Sequence, residues 1–329
     1  MNLPIVPPYL PMEAVAVKEI PEGPDWHYEP KWDGFRCLAF RDHDEVQLES
    51  KAGEPLARYF PEVVEALLSL KAKQFVIDGE IYIGSFDDLL QRIHPAASRI
   101  AKLSRDTPAS LIVFDLLVDD RAHELASLPL RERRPKLEQF AGTYFAGHEG
   151  IQLSPATCDI AVAREWLASV GVKLDGVIAK RLNLPYEAGN REGMVKIKNM
   201  RTADCVIGGF RYGAKERLVG SLLLGLYDAE GLLHHVGFCS AIATAEKPEL
   251  TAKLEALREA PGFTGKAPGG PSRWSTERST EWEPLRPELV VEVRYDHFSG
   301  GRFRHGTKLM RWRPDKAAKQ CTFGSLAGS

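Results

Sequence analysis

Lys31 stands in the run Tyr28-Glu29-Pro30-Lys31-Trp32-Asp33-Gly34-Phe35-Arg36, a lysine two residues ahead of an Asp-Gly pair and two behind a glutamate. A neutral lysine amine is a strong nucleophile that forms covalent adducts with electrophilic centres. An unperturbed lysine has a pKa of about 10.4, so such chemistry needs neighbours that disfavour an ammonium, such as a bound metal ion or other lysines. Other lysines are at hand in Val195-Lys196-Ile197-Lys198. On a strand, residues two apart point to one face, and two cations on one face can grip a phosphate and offset charge at a pentavalent phosphorus. Read singly, the first run is a surface turn and the second a solvated pair on an edge strand.

The elements that must position these residues divide the chain in two. It has 329 residues, 43 basic against 45 acidic and 44% hydrophobic, with a net charge of -2, which suits a folded chain of two domains. Near neutrality argues against nucleic-acid binding by bulk positive charge, a class with domain pI above about 9; a local basic groove remains compatible. The charge is uneven: residues 1–200 hold 24 basic and 30 acidic groups, net -6, and residues 201–329 are net +4. In the first part, strand-like runs (Gln74 to Ile83, Leu111 to Val118, and from Asp175) alternate with helical ones. Asp159 is expected to cap a helix ending near Gly171, with Ala161, Val162, Trp166, Leu167 and Val170 on one face. This is an α+β or α/β body with a mixed sheet. In the second part, strand signals in ADCVIGGFRYG, RLVGSLLLGLYD, LLHHVGFCS and ELVVEVRYDHF are interrupted by one helical stretch, Pro248 to Glu259. That pattern predicts a small, partly open barrel of the OB type. The segment from Pro261 to Arg273 is Gly/Pro-rich and reads as a loop. The boundary is placed near Met200, giving domains 1–199 and 200–329.

The two lysine runs belong to an ordered set: Ser50-Lys51-Ala52-Gly53, Val76-Ile77-Asp78-Gly79-Glu80, Val113-Phe114-Asp115, Asp175-Gly176-Val177-Ile178-Ala179-Lys180, and near the end Arg304-His305-Gly306 and Arg313-Pro314-Asp315-Lys316. In this order the motifs resemble the covalent nucleotidyltransferases, that is, ATP-dependent DNA ligases with related RNA ligases and mRNA capping enzymes. The close of the chain is most similar to small bacterial ligases of the ligase C type. The resemblance implies an α+β chain: an ATP-grasp-like nucleotidyltransferase (adenylation) domain, then an OB-fold β-barrel domain, without the helical DNA-binding domain of larger ligases.

It also implies roles. Lys31 would take AMP from ATP, with Lys196 and Lys198 as catalytic partners on the α-phosphate. Glu29 matches the position that contacts the adenine amine, Phe114 the stacking aromatic, Glu80 the acidic residue near the ribose, and Arg36 a ribose or nick-phosphate ligand suited by its planar fork. Lys180 is a further position near the nucleotide. Arg313 and Lys316, with Asp315, match a motif that swings onto the β,γ-phosphates. Two positions depart from the pattern. Asp175 replaces the usual glutamate, one methylene longer, and with Glu80 is expected to bind Mg²⁺ or Mn²⁺. Lys51 replaces the usual arginine and loses bidentate phosphate binding. Tyr186, Gly189 and Arg191 match a loop ahead of the paired lysines, with Met194 where a tryptophan is more common.

Other conspicuous residues read as structural. His234 and His235 are adjacent in a strand and face opposite ways, which does not suit a metal site. The run Arg131-Glu132-Arg133-Arg134 reads most simply as a solvated helix face, with DNA contact as the alternative, and the five scattered cysteines as buried or surface thiols; Arg273 and Trp274 are candidates for touching DNA or lining a closed cleft. With no signal sequence and no span of about 18–20 apolar residues, the expectation is a soluble cytoplasmic monomer with no membrane partner, acting on nicked or short-gapped duplex DNA beside a repair polymerase or end-binding protein. The alternatives are an RNA ligase or GTP-dependent capping enzyme, against which Glu29 and the RxDK ending weigh, and a non-catalytic OB-domain nucleic-acid-binding protein.

Overall fold

The computed structural model describes residues 1–169, 174–198, 200–214, 216–269 and 281–326. The chain separates into two compact units, Met1–Asn199 and Met200–Ser329.

In the first unit the order is β1 (Val15–Val17), β2 (Trp26–Trp32), β3 (Phe35–Asp42), β4 (Glu45–Ser50), α1 (Pro61–Ser69), β5 (Gln74–Tyr82), α2 (Phe86–Arg92), α3 (Ala97–Asp106), β6 (Ser110–Val118), α4 (Leu130–Tyr144), β7 (Ile151–Leu153), α5 (Ile160–Ala168), β8 (Leu174–Arg181) and β9 (Met194–Ile197). Two mixed sheets form. One runs β4-β3-β5-β6-β7, antiparallel except for the last pair; the other runs β1-β9-β8-β2, with β1 parallel to β9. The first sheet buries Phe75, Ile77, Leu111 and Val113 against Val63 and Leu67 of α1 and Leu137 and Phe140 of α4. Those helix pairs sit three or four residues apart, the spacing of one helical face. β2 belongs to the second sheet and β3 to the first, so the chain crosses between sheets at Asp33-Gly34. A Cβ on Gly34 would lie 2.1 Å from the Ile81 carbonyl oxygen, so only glycine fits this crossing.

The second unit contains β10 (Arg201–Tyr212), β11 (Val219–Tyr227), β12 (Leu233–Cys239), α6 (Lys247–Glu255), β13 (Glu283–Pro284), β14 (Val290–Tyr295), β15 (Phe298–Ser299), β16 (Arg302–Phe303) and β17 (Lys308–Trp312). Its antiparallel sheet runs β12-β11-β10-β14-β17, with β13 also on β10. Among the described residues the edge strands approach through an isolated bridge, Cys239 to Thr307, rather than a continuous ladder, so the barrel is partly open. Its core includes Cys205, Ile207, Leu222, Leu224, Val236, Val291 and Val293, and the intervening Val206, Leu223 and Val290 are buried as well.

Several local expectations are corrected. Arg133 and Arg134 are buried, because they sit three and four residues after Leu130 and before Leu137, on the inward face of α4. The solvated reading followed residue type where the spacing already pointed inward. In α5, Asp159 accepts the Ala161 N–H at 2.8 Å as cap, but Ala161 is exposed and Ala163 is the buried residue. Val170 and Gly171 lie outside the described residues, as do Arg273 and Trp274. β9 is not an edge strand, since β1 covers it, and α6 stops at Glu255. Four cysteines are buried and Cys158 is exposed.

Candidate active site

Lys31 lies near the end of β2, opposite Gly176 of β8. Its Nζ donates to Asp175 Oδ2 at 2.5 Å, and the same oxygen meets Lys198 Nζ at 3.1 Å. Asp175 is buried; burial would raise its carboxyl value, yet Lys31 and Lys198 outweigh burial and hold it below the usual carboxylate range. Lys196 sits opposite Ile178 on β9. Its ammonium is disfavoured by burial and by Lys31, Lys51 and Lys198. Three lysines and one carboxylate therefore converge on the sheet built by β1, β9, β8 and β2. Gly176 permits this, since a Cβ there would lie 1.9 Å from the Ile197 carbonyl oxygen.

The facing sheet supplies Arg36, Glu80 and Phe114. Arg36 forms a fork with the fully buried Asp78, Nε to Oδ1 and Nη2 to Oδ2, both at 2.6 Å. Burial opposes its charge, but Asp78 dominates and raises its value. Tyr186 donates its hydroxyl to Asp78 Oδ2 at 2.6 Å and accepts the Met12 N–H at 3.0 Å. Glu80, directly across from Arg36 in the ladder, accepts the Gly34 N–H at 3.0 Å. Burial pushes its carboxyl up to about 7, against the pull of Lys31 and Arg36. Phe114 is buried beneath two cations, with Arg36 4.5 Å and Lys180 Nζ 4.8 Å from the ring centroid. Lys180 in turn meets Glu29 at 2.8 Å and the Phe114 carbonyl at 3.3 Å.

These residues line two connected spaces. An open cleft of about 810 Å³ is bounded by Lys31, Arg36, Lys51, Glu80 and Lys196. A narrow cavity of about 80 Å³ shares Lys31, Arg36 and Glu80 with it and ends at Glu29, Phe114 and Lys180. Lys51 also contacts Glu13 at 2.9 Å, and Glu13 pairs with Arg191 at 2.8 Å. The result is a cleft lined by lysine and arginine with a small inner cavity that combines the Phe114 ring with the Glu29–Lys180 pair, a set of groups that suits a nucleoside triphosphate.

Comparison with known proteins gives the same reading. Residues 11–198 match the ATP dependent DNA ligase domain, and residues 215–316 the ATP dependent DNA ligase C terminal region. The chain is 44% identical to DNA ligase C2 of Mycolicibacterium smegmatis over 99% of its own length and 96% of that protein. The chain belongs to the ATP-dependent DNA ligase family. It is also 31% identical to the multifunctional non-homologous end joining DNA repair protein LigD of Mycobacterium tuberculosis, over 88% of this chain and 36% of that protein. Among solved structures, one described as a structure-function analysis of Lig E DNA ligases shares the fold, with a TM-score of 0.57, 14% identity, and coverage of 92% of this chain and 100% of that one. The ligase thus has a nucleotidyltransferase domain and a C-terminal OB-fold domain.

Ligases of this family use ATP and a divalent metal. Among the described residues, no three His, Cys, Asp or Glu side chains are grouped to hold a metal ion, and His234 pairs with Asp228 at 2.6 Å. Asp175 and Glu80 are the two carboxylates expected to hold Mg²⁺ or Mn²⁺. Both are hard oxygen donors, one in contact with Lys31 and the other lining its cleft, and Mg²⁺ commonly takes only one or two carboxylates beside substrate phosphates. No helix among the described residues is long and apolar enough to cross a membrane. In the OB-fold unit, Arg313 and Lys316 share Asp204, at 2.9 and 2.7 Å, and Arg313 also meets Asp315 at 2.8 Å.

The sequence named most of the cleft's side chains but not what holds them. Asp78 carried no assigned role, and Tyr186 only an uncertain one, although both fix Arg36. Arg133 and Arg134 were assigned to solvent. Their helical spacing was the available signal.

Proposed function

We propose that this ligase seals 5′-phosphate/3′-hydroxyl nicks in duplex DNA through a lysyl-AMP on Lys31 and then a DNA-adenylate. The observation that carries the assignment is the convergence of Lys31, Lys198 and Asp175 within 3.1 Å beside Lys196. Lys31 Nζ attacks the α-phosphorus; the P–N bond forms, the bond to the β-phosphate bridging oxygen breaks, and pyrophosphate leaves. Asp175, at 2.5 Å, holds Lys31 in place, and the proton that Nζ gives up passes to solvent. Lys196 and Lys198 balance charge on the non-bridging oxygens as phosphorus becomes five-coordinate. Phe114 stacks on adenine, Glu29 accepts from its exocyclic amine, and Lys180 holds Glu29. Arg36, locked by Asp78, and Glu80 meet the ribose side, while Lys51 binds phosphate at the cleft mouth. Asp175 and Glu80 would hold the divalent cation, which neutralises phosphate charge when bound.

Arg313 and Lys316 orient the β,γ-phosphates for in-line departure, releasing Asp204 to do so. The 5′-phosphate of the nick next takes AMP from Lys31, and the 3′-hydroxyl then displaces AMP to form the phosphodiester. The name of the LigD relative speaks of non-homologous end joining DNA repair, which supports action on DNA breaks; short gaps and a repair polymerase or end-binding partner belong to the same proposal. The test is labelling with α-³²P-ATP and sealing of a panel of nicked duplexes. Wild-type protein should carry a covalent AMP and seal, and Lys31→Ala should do neither; sealing by Lys31→Ala would overturn the assignment.

A further inference from the structure

The first turns of α4 drive two arginines toward the base cavity from behind. Arg133 grips Asp115, the neighbour of Phe114, through Nε and Nη2 at 2.9 and 3.0 Å. Arg134 reaches toward the other sheet. Its Nε donates to Glu138 at 2.8 Å and its Nη2 to the Ser154 carbonyl at 2.8 Å, while its Nη1 lies 3.8 Å from Glu29 Oε1. That Nη1 is buried and has no hydrogen-bond partner, and the same holds for His27 Nε2, 3.7 Å from the same oxygen. Lys180 approaches Glu29 directly at 2.8 Å. A buried guanidinium with one N–H aimed at a carboxylate just beyond bonding range is a costly arrangement. A movement of under about 1 Å would complete the bond.

We infer that Arg134 is a positioning residue for purine recognition. With nucleotide bound, its Nη1 closes the 3.8 Å gap to Oε1 and, together with Lys180 at 3.0 and 2.8 Å from the two carboxylate oxygens, holds Glu29 so that its remaining lone pairs face the 6-amino group of the base. An amine at that position donates to the carboxylate; a 6-keto group presents a second acceptor and is repelled. Arg134 therefore supports the preference for an amino over a keto purine without touching the nucleotide. The inference rests on the reading of Glu29 given above.

The test measures covalent AMP-type labelling of the full chain with ATP and with purine riboside triphosphate, which keeps the ring and lacks the amine. Wild-type protein should need about tenfold more of the analogue for half-maximal rate, the scale of one hydrogen bond to a charged group. Arg134→Met should raise the KM for ATP about tenfold, leave that for the analogue within about twofold, and leave the maximal rate nearly unchanged. Arg134→Lys, which keeps charge but cannot span Ser154, Glu138 and Glu29 together, should fall between and serves if the methionine variant does not fold. Wild-type discrimination that persists in the folded variants, or an equal loss on both nucleotides, would overturn the role of Arg134 alone. Wild-type protein that uses both nucleotides alike would overturn the Glu29 reading and the inference with it.

Discussion

The cations of the two units are held in opposite ways. In the first, several cations at the inner end of the cleft pair with carboxylates that are themselves buried: Asp78 for Arg36, Glu29 for Lys180, Asp115 for Arg133, and Asp175 for Lys31 and Lys198. In the OB-fold unit, Arg313 and Lys316 share the part-exposed Asp204, and Arg313 also meets Asp315, whose side chain is 64% exposed. A pair removed from water is expensive to assemble and expensive to break from one side. A pair at the surface is screened and is remade at little cost. In the function proposed above, the first arrangement suits groups that are in place when the nucleotide arrives, and the second suits groups that exchange one partner for another.

Four measurements can break or sharpen this contrast. The largest effect is expected from Lys31→Ala, which should lower covalent AMP formation by at least about 10³-fold, measured by labelling, because no other group replaces the nucleophile. Asp115→Asn comes next. It leaves Arg133 buried without its counter-charge and should lower the unfolding free energy by about 3 kcal/mol in denaturant titration; a loss no greater than that of a surface variant would remove the contrast.

Third, the Glu80 carboxyl should titrate near 7 in carbon-13 NMR of nucleotide-free protein, raised by burial. Lys31→Met should lift it further by removing the main opposing charge. The sign for stability follows. The native state holds this proton more tightly than the unfolded chain, so from about 4.5 to 7 its contribution declines as pH rises, and Glu80→Gln should flatten that decline. Smallest is Asp204→Asn, which should move the thermal midpoint by no more than about 2 °C; a shift as large as that of Asp115→Asn would mean that the second unit's cations are as firmly built in as the first's.

The strands were legible because long apolar or alternating runs such as Ser110–Val118 and Val219–Tyr227 leave few other structures. So were Lys31, Arg36, Lys51, Glu80 and Lys196 of the cleft, which occur in short motifs of fixed order, whereas Met12, Glu13, Arg58 and Tyr59, which also line it, were not. The partners were not. Arg36 and Asp78 are 42 positions apart, Tyr186 and Asp78 108 apart, and Lys31 and Asp175 144 apart. Periodicity reports which way a side chain points and is silent on what it meets there. Arg133 and Arg134 show the remaining gap: the helical spacing placed them inward, residue type argued outward, and the buried Asp115 and Glu29 that decide between the two lie on other strands.

Gly176 gives the Asp-Gly pair in this region a meaning of its own. Because a methyl group there would collide with the Ile197 carbonyl, the backbones of β8 and β9 touch at the point where Lys31 faces Gly176 across the ladder. The spacing between the Lys31 strand and the strand that carries Lys196 is thus a steric length, set where two main chains meet at Gly176.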